Sequence, residues 1–553
     1  MQSTQATFDY VIVGAGSAGA VLAHRLSEDA ATRVLLLEAG GPDRHRLMQM
    51  PLGFFPMLRD PAVFWTYKSE PEPYADQREI PLPRGKVLGG SSSVNGLLYG
   101  RGHPEDYEEW RRLGGSGWGF ADVLPYFIRA ETNWRGASGF HGGQGPLTVS
   151  RHTTDAGIFN ALMQTARNRG QTVADDLDGS QYQGFGKPDF TVHRGRRGST
   201  AKRYLEPVWR RENLRVEIRA LASRILFEGR RAVGVEYWQD GRLQQARAER
   251  EVILAGGAYN SPQLLMLSGI GRPDELRAAG IEPFHELPGV GQNLQEHASV
   301  GASFIPRQPI PLIEQMRFDR LALSVIRWRL FGTGVVANLP LACIAFYRSQ
   351  PGLARPDIEF MVNNTGMDAR VWFPLVVPSR GNALYCGNIV LHPESRGWVK
   401  LRSADPAARV RIQLNLLQAE KDRALLRLGL RNAREFFGTE PIAGMVERER
   451  MPGPAVRSDA EIDAYVRSTV GVAHHPCGTC AMGSGTDAVV DAELRVHGLE
   501  NLRVIDASIM PTLAGGHTNA VAIMIGEKGA DLVQGRSLPA ADAATVAACR
   551  AAA

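Results

Sequence analysis

Cysteine is scarce in this chain: five residues in 553, an odd number. Cys343, Cys386, Cys477, Cys480 and Cys549 therefore imply no disulfide framework, and the chain is expected in a reducing cytoplasm. Long apolar runs are also missing. A helix that crosses a bilayer needs about 20 apolar residues, and the nearest approach, Val335 to Phe346, is interrupted by Asn338 and Pro340. The segment Met1 to Thr7 lacks the basic and apolar regions of a signal peptide. Charge of one sign is not concentrated either. The net charge is +5, with arginine as the excess, and outside the short 193–197 run there is no dense basic block of the kind that nucleic acid requires. A basic face drawn weakly to anionic lipid stays open, so peripheral membrane contact is the second expected location. No internal repeat occurs, and low complexity is confined to the alanine-rich tail, residues 538–553, expected to be disordered.

What is present is ordinary globular material. An apolar fraction of 44% against a charged fraction of 22% suits a soluble protein, and the length allows two domains with their own cores. The run Phe8 to Val13 is β-branched and apolar, the pattern of a buried parallel strand. Gly14-Ala15-Gly16-Ser17-Ala18-Gly19 follows at once, then a helical pattern with Val21, Leu22 and Leu26 on one face. This is G-x-G-x-x-G in its strand–turn–helix setting. The first glycine makes the turn, the second lets backbone approach a pyrophosphate, and the third lets helix pack on strand. A second strand, Arg33 to Leu37, ends in Glu38, about 20 residues beyond, where a carboxylate accepts hydrogen bonds from a ribose. These features predict a dinucleotide without choosing between FAD and NAD. Further strands are expected at Leu214–Ile218, at Ala222–Phe227 paired with Val233–Tyr237, at Glu251–Leu254 and at Val504–Ser508. Helices are expected over Ala419–Phe437, over Asp459–Val466 behind a Ser458 cap, and from Asn519 toward Glu527.

Two further stretches choose between the dinucleotides. Arg84-Gly85-Lys86-Val87-Leu88-Gly89-Gly90-Ser91-Ser92-Ser93-Val94-Asn95 is too rich in small residues for a core element. Gly257-Ala258-Tyr259-Asn260-Ser261-Pro262 through Gly271 follows the Glu251–Leu254 strand. At both, the chain resembles the glucose–methanol–choline (GMC) oxidoreductases, and the likeness extends from Phe8 to about Val533, including Val290 to His297. The resemblance implies an α/β fold: a Rossmann-like FAD-binding domain assembled from residues 7–150, 198–300 and 470–537, and an α+β substrate-binding domain on an antiparallel sheet from 151–197 and 301–469. It implies FAD contacts at Gly14, Gly16, Ser17, Ala18, Gly19, Glu38 and Ala39, at Val87, Gly89, Gly90, Ser91, Asn95, Gly96 and Leu97, at Ala222, Ala255, Gly256 and Ser261, and at Asp506, Ala507, Thr518 and Asn519. Some relatives carry a histidine covalently joined to flavin where this chain has Val94, so FAD is expected without a covalent link.

Alcohol oxidation needs a base for the hydroxyl proton and an electron sink for the hydride. Histidine suits the first task because its unperturbed pKa lies near working pH. A lone histidine is more often a satisfied core residue than a catalyst. Here two fall in separate motifs, His474-His475-Pro476-Cys477-Gly478-Thr479-Cys480 and Gly515-Gly516-His517-Thr518-Asn519. Family register makes His475 the expected general base and His517 its partner on the substrate oxygen; His474 is expected to be structural or a flavin contact. Cys477-x-x-Cys480 has no second pair, and the other histidines lack ligand spacing, so no metal is expected. The region 309–373 mixes large apolar residues with Arg317, Arg320, Arg327 and Arg329. It reads either as a core helix with solvated arginines or as an amphipathic lid against an apolar substrate or a membrane. The expected function is oxidation of an apolar or aromatic primary alcohol to the aldehyde, as a dehydrogenase using a quinone or dye. The alternatives are an oxidase using O2, a flavin-containing hydroxynitrile lyase, and a binding protein without activity.

Overall fold

The computed structural model describes residues 6–58, 60–151 and 156–551. Two sheets organise them. The first has the order Leu214–Ile218, Val34–Glu38, Ala6–Val13, Arg242–Leu254, Arg231–Gln239, Leu221–Glu228, with Leu502–Val504 also on Arg242–Leu254. Its left half is parallel, and the Val34–Glu38 strand is buried at every position, as apolar strands covered on both faces must be. The 13-residue strand Arg242–Leu254 serves two neighbourhoods. Its first half pairs antiparallel with Arg231–Gln239, and its last three residues pair parallel with Leu502–Val504.

The second sheet has the order Val446–Met451, Ala298–Pro306, Leu384–Val390, Ile358–Asn363, Leu341–Tyr347, Gly184–Gly186, with Gly471–Val472 on Ala298–Pro306. All of its pairs are antiparallel. One face is closed by the helix Glu420–Phe437: Phe360 meets Phe436 with ring centroids 5.2 Å apart, and Gly429 lies where a Cβ would come within 2.8 Å of Asn388 Cβ. A single buried apolar cluster runs through both sheets. Two strands bear on the expected limits at 300/301 and 469/470. Ala298–Pro306 crosses the 300/301 limit, and Gly471–Val472 belongs to the second sheet, not the first.

Three other expectations change. The strand expected at Val504–Ser508 is Leu502–Val504; Asp506 then caps a short turn, its Oδ1 accepting the Ser508 N–H at 2.8 Å. An aspartate that bonds its own backbone two residues on ends a strand. The tail is not disordered within the described residues. Ala543–Ala551 is helical, Leu538 N–H donates to Tyr126 Oη at 2.9 Å, and Cys549 is buried; burial of its apolar side is what a composition argument could not see. The core-helix reading of 309–373 fails for Phe318–Phe331, where only Ser324 and Trp328 are buried. Phe346 and Phe360, from the same region, lie in strands of the second sheet.

Candidate active site

One cavity of about 590 Å³ runs from the glycine turn to the two histidines. Its first end is built by backbone. Gly14 sits at φ +104°, where a Cβ would come 2.5 Å from the Ala255 carbonyl oxygen, so only glycine makes this turn. The helix Ser17–Leu26 starts behind Gly16 with no side-chain cap, which leaves its first N–H groups free for an anion. Glu38 is buried, accepting the Ala15 N–H at 3.0 Å and the Gly40 N–H at 2.7 Å. Burial raises its carboxyl to a pKa of about 7, against those two bonds. The loop 89–93 closes over the turn so tightly that a Cβ on Gly90, at φ +52°, would lie 2.7 Å from Gly16 Cα.

Of the expected cofactor contacts, all line this cavity except Gly19, Val87 and Gly89. Those three act behind the wall. A Cβ on Gly19 would be 1.8 Å from the Gly14 oxygen, Gly89 at φ +82° turns the loop, and Val87 fills a small apolar cluster with Met48, Met57 and Val94. Val94 also lines the cavity.

The far end is held from both sheets. His517 caps the helix Thr518–Val533. That helix packs closely because Gly526 lies against Ala18 and Gly529 against Ile505, with no room for a Cβ. Glu527, fully buried, anchors it through Arg25 and Arg129, each at 2.8 Å. Losing one partner of such a buried pair costs about 3–5 kcal/mol. His475 is pinned by reciprocal backbone bonds between Gln295 and Cys477, both 3.1 Å, and by its own N–H to Glu296 Oε1 at 2.5 Å. The His475 and His517 rings meet edge to face, centroids 5.3 Å apart. His474, at φ +65°, lines the same cavity, and its carbonyl accepts from Arg84 at 2.7 Å. Burial takes its pKa down to about 4.

Two groups that sequence reasoning did not assign complete the array. His297 Nδ1 is 2.9 Å from His475 Nδ1, and His297 Nε2 is 3.0 Å from the Leu391 carbonyl. A carbonyl only accepts, so His297 Nε2 carries the proton. Burial lowers the His297 pKa to about 3, so the ring is neutral and its Nδ1 is an acceptor. His475 must then donate through Nδ1. Its own pKa is depressed well below the ordinary value, first by burial and then by His297 and His517, so it too is neutral and its Nε2 offers a lone pair. Glu359, fully buried, stands 3.0 Å from His517 Nε2. Burial pulls the His517 pKa down, but the Glu359 carboxylate overrides this and leaves it above the usual value. The two surroundings thus push the pair apart, His475 toward the neutral form and His517 toward the cation, the separation that marks base and acid partners. A faint signal for Glu359 existed in sequence: a lone carboxylate inside the apolar run Ile358–Val362 must find a partner when buried. His297 stood within a family-like segment to which no chemistry attached.

Cys477 and Cys480 are free and buried, and burial pushes both thiols up, away from the reactive thiolate. Among the described residues no cluster of histidine, cysteine or carboxylate side chains could hold a metal ion, and no helix is long and apolar enough to cross a membrane.

A glycine-turn dinucleotide site opening onto paired histidines defines a flavin-type alcohol-oxidising fold. Sequence patterns of the GMC oxidoreductases match residues 8–299 and 393–526, and the chain belongs to that family of FAD-dependent oxidoreductases acting on CH–OH donors. It is 46% identical over 537 residues to mitochondrial choline dehydrogenase of Mus musculus, covering 96% of this chain and 89% of that protein. It is 42% identical over 532 residues to oxygen-dependent choline dehydrogenase of Brucella anthropi, covering 96% of each. Among solved structures, pyridoxine 4-oxidase from Mesorbium loti superposes with a TM-score of 0.85 at 32% identity, covering 95% of this chain and 98% of that one. The cavity fits FAD on this chain's own terms: uncapped helix N–H groups for a pyrophosphate, Glu38 for a ribose, and a lining that includes Gly14, Gly16, Gly90, Gly96 and Gly256, where backbone rather than side chain faces the slot.

Proposed function

We propose that this chain oxidises a neutral, largely apolar primary alcohol to its aldehyde, with His475 as general base. The observation that supports it is the pairing of two adjacent imidazoles with different partners, His475 Nδ1 with His297 at 2.9 Å and His517 Nε2 with the Glu359 carboxyl at 3.0 Å. His475 Nε2 takes the hydroxyl proton, and His517, whose protonated form Glu359 favours, donates a hydrogen bond to the oxygen as negative charge develops there. Bound FAD supplies the acceptor for the hydride that leaves the α-carbon.

The substrate preference rests on the wall facing the histidines. The second sheet and the segment before it turn Leu339, Leu341, Met361 and Ile389 into the cavity, with Asn363 and Tyr385. A second reading, choline, is favoured by the relatives' names. A quaternary ammonium is recognised by several aromatic faces beside a carboxylate. The second sheet sends one aromatic side chain, Tyr385, into the cavity, the others (Phe54, Phe55, Phe64, Trp65, Tyr259) come from the cofactor-side segments, and the nearby carboxylate of Glu359 is engaged by His517. The similarity to mitochondrial choline dehydrogenase at 46% identity supports a dehydrogenase, whereas the relative at 42% is named as oxygen-dependent and supports the alternative, O2 as acceptor.

Anaerobic titration of the flavin with 1-hexanol, benzyl alcohol and choline tests the reading. Hexanol or benzyl alcohol should bleach the flavin faster than choline at equal concentration; faster bleaching by choline overturns the substrate class, and no bleaching by any of them favours non-redox cleavage. Admitting air then decides the acceptor, since reoxidation within one turnover makes it an oxidase. His475→Ala should lower turnover by about 10²–10⁴ with FAD still bound, and full turnover in that variant removes His475 as base.

A further inference from the structure

The helix Phe318–Phe331 is anchored on one side only. Trp328 donates its indole N–H to the Gly195 carbonyl at 2.7 Å and packs with Met50, Val336 and Ala337. The opposite face presents Leu323, Ile326 and Leu330, 68%, 56% and 68% exposed, with Phe331 beside them at 73%. Their spacing of three and four residues puts them in one stripe. The loop 366–377 joins this stripe. Phe318 and Phe373 touch edge to face at 6.4 Å, Phe318 N–H donates to the Trp372 carbonyl, and Leu375 and Val376 stand out into solvent. Single exposed apolar side chains are normal, but a contiguous cluster of this size marks an interaction surface.

The charge around the cluster says what the partner is. In the segment 311–331, Arg317 pairs with Asp319 and Arg320 with Glu314, which leaves Arg327 and Arg329 as an excess of two positive charges. Arg196 adds to it, its guanidinium over the Trp328 ring at 4.6 Å. Protruding aliphatic and aromatic side chains on an element with excess positive charge at Arg327, Arg329 and the adjacent Arg196 match the interface of an anionic bilayer, where the apolar tips enter the acyl boundary and the cations meet the headgroups. Met367, 67% exposed, belongs both to this loop and to the lining of the active-site cavity, so the surface borders the cavity mouth.

We propose that the outer face of Phe318–Phe331 and the loop 366–377 seat the enzyme on an anionic lipid surface as a peripheral, non-spanning contact. The FAD-loaded full chain is tested by flotation with phosphatidylcholine vesicles, with and without phosphatidylglycerol, at low and high salt. The enzyme should float with the anionic vesicles and be released as salt rises. The double variant Leu323→Glu, Leu330→Glu should bind roughly a hundredfold more weakly, about a tenfold step for each apolar side chain withdrawn. Its turnover of a water-soluble alcohol should match the wild type, which shows that it folds. The proposal is overturned by wild-type enzyme that floats with neither vesicle or by a double variant that floats as well as the wild type. It is also overturned by light scattering that finds a wild-type dimer which the double variant dissolves without any vesicle binding, because a second copy would then cover the patch.

Discussion

Replacing His297 tests the tautomer argument most directly. Neutral His475 has two tautomers, and only the one with its proton on Nδ1 leaves Nε2 able to accept a hydroxyl proton. His297 selects that form through the 2.9 Å contact to His475 Nδ1, and is itself oriented by the Leu391 carbonyl. Removing one partner of a buried hydrogen bond costs about 1–3 kcal/mol, or roughly 5- to 150-fold in the population of the productive tautomer. An upper bound of about 10⁴ comes from enzymes where a charged aspartate orients the histidine; a neutral imidazole orients less strongly. His297→Ala should therefore slow flavin reduction by alcohol roughly 10- to 100-fold. FAD content and the substrate concentration for half-maximal reduction should stay near wild type. Anaerobic stopped-flow absorbance measures both. Conservative variants separate orientation from packing. Asparagine places an acceptor near the Nδ1 position and should recover part of the rate, whereas glutamine keeps a donor toward Leu391 but no acceptor for His475 and should not. An alanine variant that reduces at the wild-type rate refutes the reasoning, and so does glutamine outperforming asparagine.

Glu359→Gln probes the other histidine. Wild-type His517 stays cationic until pH passes its raised pKa, so activity that depends on it is lost on the alkaline side; without the Glu359 carboxylate, burial is opposed only by the weaker field of Asp178 and the pKa falls. The alkaline limb of kcat/KM should move to lower pH, with a loss of about 10- to 100-fold at pH 8, and an unmoved limb would refute the pairing. Gly90→Ala places a methyl 2.7 Å from Gly16 Cα at a left-handed φ. FAD affinity should weaken about tenfold or more, read as the flavin-to-protein absorbance ratio after gel filtration, and a fully loaded variant would show that the loop yields. Because Val94 stands at the position of the flavin-linked histidine in some relatives, acid precipitation should release all the colour; a yellow tryptic peptide would contradict this.

The parts legible in sequence were those fixed by local chemistry. G-x-G-x-x-G between strand and helix has one backbone solution, and the Leu214–Ile218 strand and the Ser458-capped helix carried their own signals. The histidine pair was legible because each lies inside a distinctive local run. His297 and Glu359 were not, since their partners lie 178 and 158 residues away; the apolar run around Glu359 says that it needs a partner but not which one. The helix Phe318–Phe331 was ambiguous for a different reason. It carries apolar residues on both faces, Leu321, Val325 and Trp328 inward and Leu323, Ile326 and Leu330 outward, and periodicity cannot say which stripe the fold buries.

The second sheet decides both chemistry and substrate, and does so through a single register. Along Ile358–Asn363, Glu359 reaches His517 while Met361 and Asn363 line the cavity; the alternate residues Ile358, Phe360 and Val362 are buried toward the core. Opposite them in Leu384–Val390 stand Ile389, Gly387 and Tyr385, all lining the same cavity. Tyr385 can lie flat across the sheet because Gly301 on the next strand has no side chain: a Cβ there would be 2.2 Å from the tyrosine oxygen. A slip of one residue in this strand would flip the whole set. The apolar wall would turn inward, and His517 would lose the carboxylate that keeps it charged. Burial depresses both active-site histidines, and the largest influence that lifts His517 against it is Glu359, a residue of the substrate sheet and not of the cofactor sheet. The proton chemistry and the shape of the alcohol pocket are therefore coupled through three positions of one strand, and substitutions meant to retune the pocket at Met361 or Asn363 should leave His517 charged only if the register of Glu359 is kept.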